Sequence, residues 1–247
     1  MSSKTPSSPQ AKTTANTHCV VAELLRGLKE CRRVLDIPCG EGAFVERIAA
    51  CGLEVHAADC EDVIQAPHAI FKRADMNQRL PYADDQFDAV VSIDGIEHLE
   101  HPFGFIRECA RILRAGGSLI LSTPNISSLR SRWRWFVTGF HNKCKSPLNE
   151  LRQSPAHHLN MISFPQLRYM LHSSGFQITA VRANRVKAVS WLYAPWAPLA
   201  YGVTALEFAR EERDPGQRQR NREILRQMFS LPILLGETMI VMSRTEQ

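Results

Sequence analysis

An apolar run that ends in an acid and breaks at once into a glycine turn constrains this chain more than anything else in it. Val34-Leu35-Asp36-Ile37 is followed by Pro38-Cys39-Gly40-Glu41-Gly42, and apolar positions then resume at helical spacing with Phe44, Val45, Ile48 and Ala49. The run reads as a buried parallel strand. Gly40 and Gly42 let the backbone turn tightly and approach a ligand with no side chain in the way. Strand, glycine turn and helix start form the nucleotide-cradling unit of an open α/β sheet, where ligands sit beyond the carboxyl ends of the strands. Asp36 through Gly42 are therefore expected to line a pocket.

Several nucleotides are excluded. A dinucleotide fingerprint needs Gly or Ala at its third small position, and Val45 stands there. The turn is too short for a phosphate-binding loop, and no Gly-Lys-Ser/Thr occurs in the chain. The carboxylate of Asp36 suits a cationic or amine-bearing ligand better than a pyrophosphate.

More signals follow in order. Glu54-Val55-His56-Ala57-Ala58-Asp59 is a second strand ending in an acid, and Ile70-Phe71-Lys72-Arg73 a third, running into Ala74-Asp75-Met76. Leu80-Pro81-Tyr82-Ala83-Asp84-Asp85-Gln86 is a proline turn leading into a fourth strand near 87–93, Phe87-Asp88-Ala89-Val90-Val91-Ser92 and onward. Glu97-His98-Leu99 precedes an amphipathic helix, which Arg111-Ile112-Leu113-Arg114-Ala115-Gly116-Gly117 is expected to end with a glycine stop. A further strand, Ser118–Ser122, runs into Thr123-Pro124-Asn125.

Over residues 30–125, and again at His158, Phe164, Leu167 and Ser174-Gly175-Phe176, this sequence resembles the class I S-adenosylmethionine (SAM) dependent methyltransferases. In wording it is nearest the broad subgroup of ubiquinone-biosynthesis O-methyltransferases and glycan or lipid methyltransferases. Pro38 departs from the pattern, standing where that family usually has its first glycine. It stiffens the turn and removes one donor.

The resemblance implies a Rossmann-like, doubly wound α/β sheet of seven strands in the order 3-2-1-4-5-7-6, with the last strand antiparallel and helices on both faces. It implies SAM as cofactor, with Gly40 and Gly42 admitting it beside Pro38 and Asp36 near its amino group. Asp59 would hold ribose and Asp75 with Met76 would frame adenine; ordinary solvated loop acids are the plain alternative for the two carboxylates. Asp94, just past the fourth strand, joins the cofactor-binding set.

A hydroxyl acceptor must also lose a proton, so a base is wanted near the pocket. Glu97, His98 and His158 are the catalytic candidates, His158 because the family often has a histidine just before this helix. Asp94, Glu97 and His98 at i, i+3 and i+4 would share one face of a helical turn. Ubiquinone-type enzymes resemble this with a carboxylate-x-x-Glu-His that binds a divalent metal, but here a loop-ordering role for Glu97-His98 is favoured and no metal is expected.

The chain has 247 residues, enough for one large α/β domain, and a net charge of +5 with acids interspersed. That balance suits an anionic substrate or membrane surface and falls short of a nucleic-acid footprint. The seven cysteines show neither paired metal spacing nor an even framework, which fits a reducing cytosol, and the N-terminus lacks the apolar core of a signal peptide. Residues 1–15 are polar and proline-rich and are expected to be disordered; 16–247 form the domain, opening with a helix at about 16–30 that caps the cofactor side.

Two segments exceed a minimal domain. Residues 125–160 should hang over the pocket as a lid, with Trp133, Trp135, Phe136 and Phe140 among arginines and lysines. Residues 185–236 form a long insertion before the last strand, in which the 19 residues Ala188–Leu206 carry no charge. Two readings of that run stand side by side: a flap that faces lipid or the acceptor, touching a membrane peripherally, and a helical pair with Trp191 and Trp196 buried as core.

The chain thus reads as a SAM-dependent methyltransferase, O-methylating a small, lipid-linked or saccharide acceptor. A C- or N-methyltransferase of a small metabolite and a non-catalytic SAM-fold binding protein are the alternatives.

Overall fold

The computed structural model describes residues 9–152 and 154–246. The expected disordered stretch therefore lies mostly outside the described residues, at 1–8; residues 9–15 are described and take part in the site below.

The strands are β1 (Arg33–Asp36), β2 (Glu54–Asp59), β3 (Ile70–Arg73), β4 (Phe87–Ile93), β5 (Leu113–Pro124), β6 (Phe176–Ala183) and β7 (Thr238–Thr245). They form one sheet in the order β3-β2-β1-β4-β5-β7-β6. β1 lies between β2 and β4, parallel to both, with Val34 opposite Val55 on one side and Ala89 on the other. β7 runs antiparallel between β5 and β6. This is the order that the resemblance implied.

Strand side chains alternate between faces, so the central strands need apolar residues at successive positions to bury both. Leu35, Val90, Leu119, Leu121 and Val241 point into one core, and Val34, Ala89, Val91, Ile120 and Ile240 into the other. The first core is closed by α3 (Pro102–Ile112) and α5 (Phe164–His172), through Phe105, Ile106, Leu167 and Met170. The second is closed by α1 (Thr17–Arg26) and α2 (Ala43–Ile48), through Val21, Leu25, Phe44 and Ile48. α3 and α5 begin with proline in the first turn, where the missing N–H is no loss. Each apolar stripe recurs at helical spacing, which is why these segments fold onto the sheet.

One expected boundary moves: α3 ends at Ile112, within a residue of the expected 113, but without a glycine stop, and β5 begins at Leu113 rather than at 117. The glycines instead shape an irregularity within β5, whose register against β4 shifts between Phe87 and Ala89. Gly116 has φ +70, and its carbonyl accepts from Arg244 Nε at 2.7 Å.

The segment after β5 carries α4 (Leu129–Thr138), and the insertion is mostly helical: a 3₁₀ run over Ala188–Trp196, then α6 (Ala197–Glu211), α7 (Pro215–Met228) and α8 (Leu231–Leu235). The break between α6 and α7 falls at Asp214-Pro215, with Asp214 capping α7 by accepting from Gln217 N at 2.6 Å. Asn125, at the end of β5, fastens the far end of the insertion: its Nδ2 donates to the carbonyls of Pro232, Ile233 and Gly236. Among the described residues no helix is long and apolar enough to cross a membrane.

Candidate active site

The carboxyl ends of β1, β2 and β4 open into a cavity of about 1000 Å³. Of the residues expected there, Asp36, Pro38, Gly40, Asp59, Asp75, Met76, Asp94, His98 and His158 line it.

Asp36 is 1% exposed, and neither carboxylate oxygen has a hydrogen-bond partner. Burial, and then the charge of Asp59, push its pKa well above the ordinary carboxylate range. A buried acid left without a partner is costly unless a ligand supplies one. The ammonium of a SAM methionine moiety has the charge and donors this position lacks, so the cradle fits the implied cofactor.

Gly40 has φ +52, and a Cβ built on it would meet nothing within 4 Å. Its N–H donates to Asp59 Oδ2 at 2.9 Å, and Glu61 N donates to Oδ1 at 3.2 Å. Both oxygens are thereby oriented yet keep lone pairs for a diol. Asp75 accepts from Asn77 N at 2.8 Å, which leaves its second oxygen available beside the buried Met76.

Gly42 is a correction. It does not line the cavity but starts α2 at φ +89, where a Cβ would lie 2.7 Å from Ala66 Cβ. Its smallness serves the packing of the 64–66 loop on the turn, not contact with a ligand. Gly95 is the glycine that sequence reasoning missed: a Cβ there would run into the ring of Pro38. Its position between Asp94 and the Glu97-His98 pair was the available signal.

Asp94 is held from two sides. Ser122 Oγ donates to Oδ1 at 2.7 Å, Thr13 Oγ1 donates to Oδ2, and the Asp94 backbone sits at φ +48. Thr13 belongs to a strap at residues 10–14 that crosses the cavity, with Gln10 N donating to Glu41 Oε2 at 3.0 Å and Lys12 pairing with Glu41 at 3.2 Å. Residues 9–15, expected to be disordered, thus close one side of the site. His18, also unforeseen, lines the cavity; burial, then the nearby Arg47, push its pKa down to about 4, so it is neutral near pH 7.

The face expected from Asp94, Glu97 and His98 is not the one that forms. The 3₁₀ turn Ile96–His98 follows Gly95, and His158 takes the third place beside Glu97 and His98. One ligand atom from each lies within 4.8 Å of the others. Glu97 is 1% exposed; its Oε2 accepts from Thr123 Oγ1 at 3.0 Å while Oε1 has no partner. Burial, with the nearby Asp94, pushes its pKa up to about 8. Glu97 does not line the cavity itself but stands behind the histidines.

His98 Nδ1 lies 2.9 Å from the carbonyl oxygen of His157, which can only accept, so this nitrogen carries the hydrogen and Nε2 keeps its lone pair. The His98 and His158 rings meet edge to face at 4.8 Å, and burial, then His98, lower the His158 pKa. The 154–159 loop is held here by Asn160, whose N–H donates to the Glu97 carbonyl at 2.9 Å.

The lid is therefore smaller than expected. Residues 154–159 close the cavity, whereas Trp133, Trp135 and Phe136 on α4 lie outside its wall and are exposed. Trp191 and Trp196 are also exposed, at 53% and 54%, which removes the reading that buries them as core.

Comparison with known proteins agrees with the fold and gives the family. Residues 16–181 match the family described as methyltransferase domain, Methyltransf_23. The chain is similar to a probable S-adenosylmethionine-dependent methyltransferase of Mycobacterium tuberculosis, 32% identical over 204 residues that cover 78% of this chain and 73% of that protein. It is also similar to a ubiquinone biosynthesis O-methyltransferase of Xanthomonas oryzae pv. oryzae, 35% identical over 38% of this chain and 43% of that protein. Among solved structures, a putative methyltransferase of Bacillus halodurans superposes with a TM-score of 0.59 at 17% identity, covering 94% of this chain and 99% of that one. Likeness at that level is of fold alone; a [4+2]-cyclase shares it with a TM-score of 0.53 at 19% identity, covering 92% of this chain and 79% of that one.

Proposed function

The chain belongs to the class I SAM-dependent methyltransferases, and on that premise we propose that it methylates a hydroxyl oxygen of a small, lipid-linked or saccharide acceptor, with His98 taking the proton. The observation that carries this reading is the hydrogen bond from His98 Nδ1 to the His157 carbonyl, which fixes the tautomer of the neutral ring so that Nε2 is the accepting nitrogen of a residue that lines the cavity. SAM supplies an electrophilic sulfonium methyl, so the protein's part is to align an acceptor lone pair and receive a proton. Asp36, Asp59 and Asp75 fix one partner. His98, backed by Glu97 and His158, stands where the other would be deprotonated. The partial likeness to ubiquinone O-methyltransferases supports the same acceptor atom.

The test uses SAM labelled in the methyl group against panels of phenols, sugars and amines. An O-methyl product is expected, and His98→Gln should lower kcat by roughly 10²- to 10⁴-fold with SAM affinity little changed. Exclusive N- or C-methylation would overturn the reading, as would full turnover in His98→Gln.

A second reading rests on the unpartnered Glu97 Oε1 and His158 Nδ1. With His98 they offer one carboxylate and two imidazoles, a donor set that suits Mn²⁺ or Zn²⁺ better than Mg²⁺. Under the base reading, activity persists in EDTA. Loss in chelator that Mn²⁺ restores, with SAM affinity unchanged, would select the metal.

A further inference from the structure

Two segments remote in sequence form one exposed face. α4 and the 3₁₀ run Ala188–Trp196 are joined where Trp133 stacks on Trp196, with ring centroids 6.2 Å apart and planes at 26°. The inner side of the 3₁₀ run and the first turn of α6 packs through Tyr193, Ala197 and Ala200 against Leu129, Leu234 and Leu235. Its outer side keeps Trp191, Leu192 and Leu199 in solvent, and α4 adds Phe136 and Val137; Leu192 and Phe136 are each 74% exposed. A contiguous apolar face of this kind marks an interaction site.

Charge identifies the partner. Residues 126–149 and 186–206 contain no aspartate or glutamate, while the first carries Arg130, Arg132, Arg134, Lys143 and Lys145. Beside the apolar ridge lies a cavity of about 160 Å³ lined by Arg130, Lys143, Lys145 and Lys187, with Ser128 at the N-terminus of α4. Its one carboxylate, Glu237, is engaged by Lys187 at 2.6 Å, by Arg185 at 2.7 Å and by Lys143 at 3.7 Å. Arg130 and Lys145 have no carboxylate within ion-pair distance among the described residues. Cations lining a small cavity at a helix N-terminus suit a phosphodiester.

Trp and Tyr beside cations, on a run too broken by Pro195 to span a bilayer, match a segment that lies in the membrane–water interface. We propose that this face docks on an anionic phospholipid bilayer, the aromatic ridge entering the interface and the Arg130–Lys143–Lys145–Lys187 cavity taking a lipid phosphate. Lys143 Nζ also donates to Thr14 Oγ1 at 2.9 Å, so the phosphate cavity adjoins the strap over the cofactor site. Docking here brings the methyl-transfer cavity to the membrane surface, whichever atom of the acceptor is methylated.

Co-flotation of the full chain with vesicles tests this. Binding is expected at low salt to phosphatidylcholine mixed with phosphatidylglycerol, and at least roughly ten-fold more weakly to phosphatidylcholine alone. Arg130→Glu with Lys145→Glu, and separately Trp191→Ser with Leu192→Ser, should each weaken binding by roughly ten-fold or more. Unchanged SAM affinity by calorimetry shows that the variants are folded. Absence of binding to the mixed vesicles overturns the proposal, as does equal binding to both compositions or indifference to both pairs of substitutions. Inorganic phosphate held through Arg130 and Lys145, seen by ³¹P line broadening, with no vesicle binding would assign the cavity to a free anion and overturn the bilayer.

Discussion

At the end of β1 a carboxylate is 1% exposed and has no hydrogen-bond partner; on the α4 and 188–196 face, indole rings stand about half exposed to solvent. The two regions are unfinished in opposite senses. The cradle has placed a polar group where water cannot satisfy it, and the ridge has left apolar groups where water must surround them. Each implies its complement: a cation for Asp36, an apolar or interfacial surface for Trp191 and Trp196. The contrast also separates the two proposals, because the cradle has the walls to select one small molecule whereas the ridge has none, and the docking proposed for it is with a surface.

The largest effect that sharpens this contrast comes from Gly40. Its absent Cβ faces open cavity, so Gly40→Val should abolish SAM binding by filling that space, as measured by calorimetry. The same protein should remain folded by circular dichroism. Normal SAM affinity in Gly40→Val would break the assignment of the cradle.

Asp36→Asn should move two measurements in opposite directions. Without the carboxylate, SAM binding weakens by roughly 10- to 100-fold. Stability of the ligand-free protein changes the other way. In the unfolded chain Asp36 ionises near its ordinary value of 3.8, while in the folded protein burial raises its pKa well above that. The unfolded state therefore loses the proton first, so the stability Asp36 contributes is whole below pH 3.8 and is lost as pH rises through the folded value. Asp36→Asn removes this loss, and its apo form should melt a few degrees higher near pH 7. A lower melting temperature at pH 7 would show that the buried acid is satisfied without ligand.

Gly42 separates turn from ligand contact. With φ +89 and Ala66 Cβ 2.7 Å from the position of a Cβ, Gly42→Ala should destabilise by roughly 1–3 kcal/mol in denaturant unfolding. SAM affinity of the fraction that folds should change little, in contrast to Gly40→Val.

These two glycines show where sequence reading succeeds and stops. Gly40-x-Gly42 could be recognised as a turn because both positions demand positive φ, but which one faces the ligand depends on the 64–66 loop, and no local pattern encodes that approach. The sheet was legible because its central strands carry apolar residues toward both faces and its helices carry stripes at helical spacing. His158 was legible only through family resemblance; its place beside Glu97 depends on the backbone bond from Asn160 to Glu97, across an interval no periodicity spans. Thr13 and Gln10 were read as disordered because polar composition looks the same whether its partners are water or Asp94 and Glu41. Trp133, Trp135, Phe136 and Phe140 were read as part of a lid, because aromatics interleaved with cations look the same in sequence whether they face a cavity or solvent.

The smallest expected effect is the one that most directly opposes the ridge to the core. Trp191 is 53% exposed, so Trp191→Ser removes little buried area, and its unfolding free energy should stay within about 0.5 kcal/mol of the parent. Phe105, fully buried under the sheet, provides the contrast: Phe105→Ala leaves a cavity and should cost roughly 3–5 kcal/mol. Chemical denaturation of both variants beside the parent decides the matter, because the slopes should agree and only the midpoints should differ. A loss above 2 kcal/mol in Trp191→Ser, on the order expected of a core truncation, would mean that the indole is part of the fold's packing. A neutral result leaves a large aromatic side chain that folding does not require, held at the surface for contact with something other than this chain.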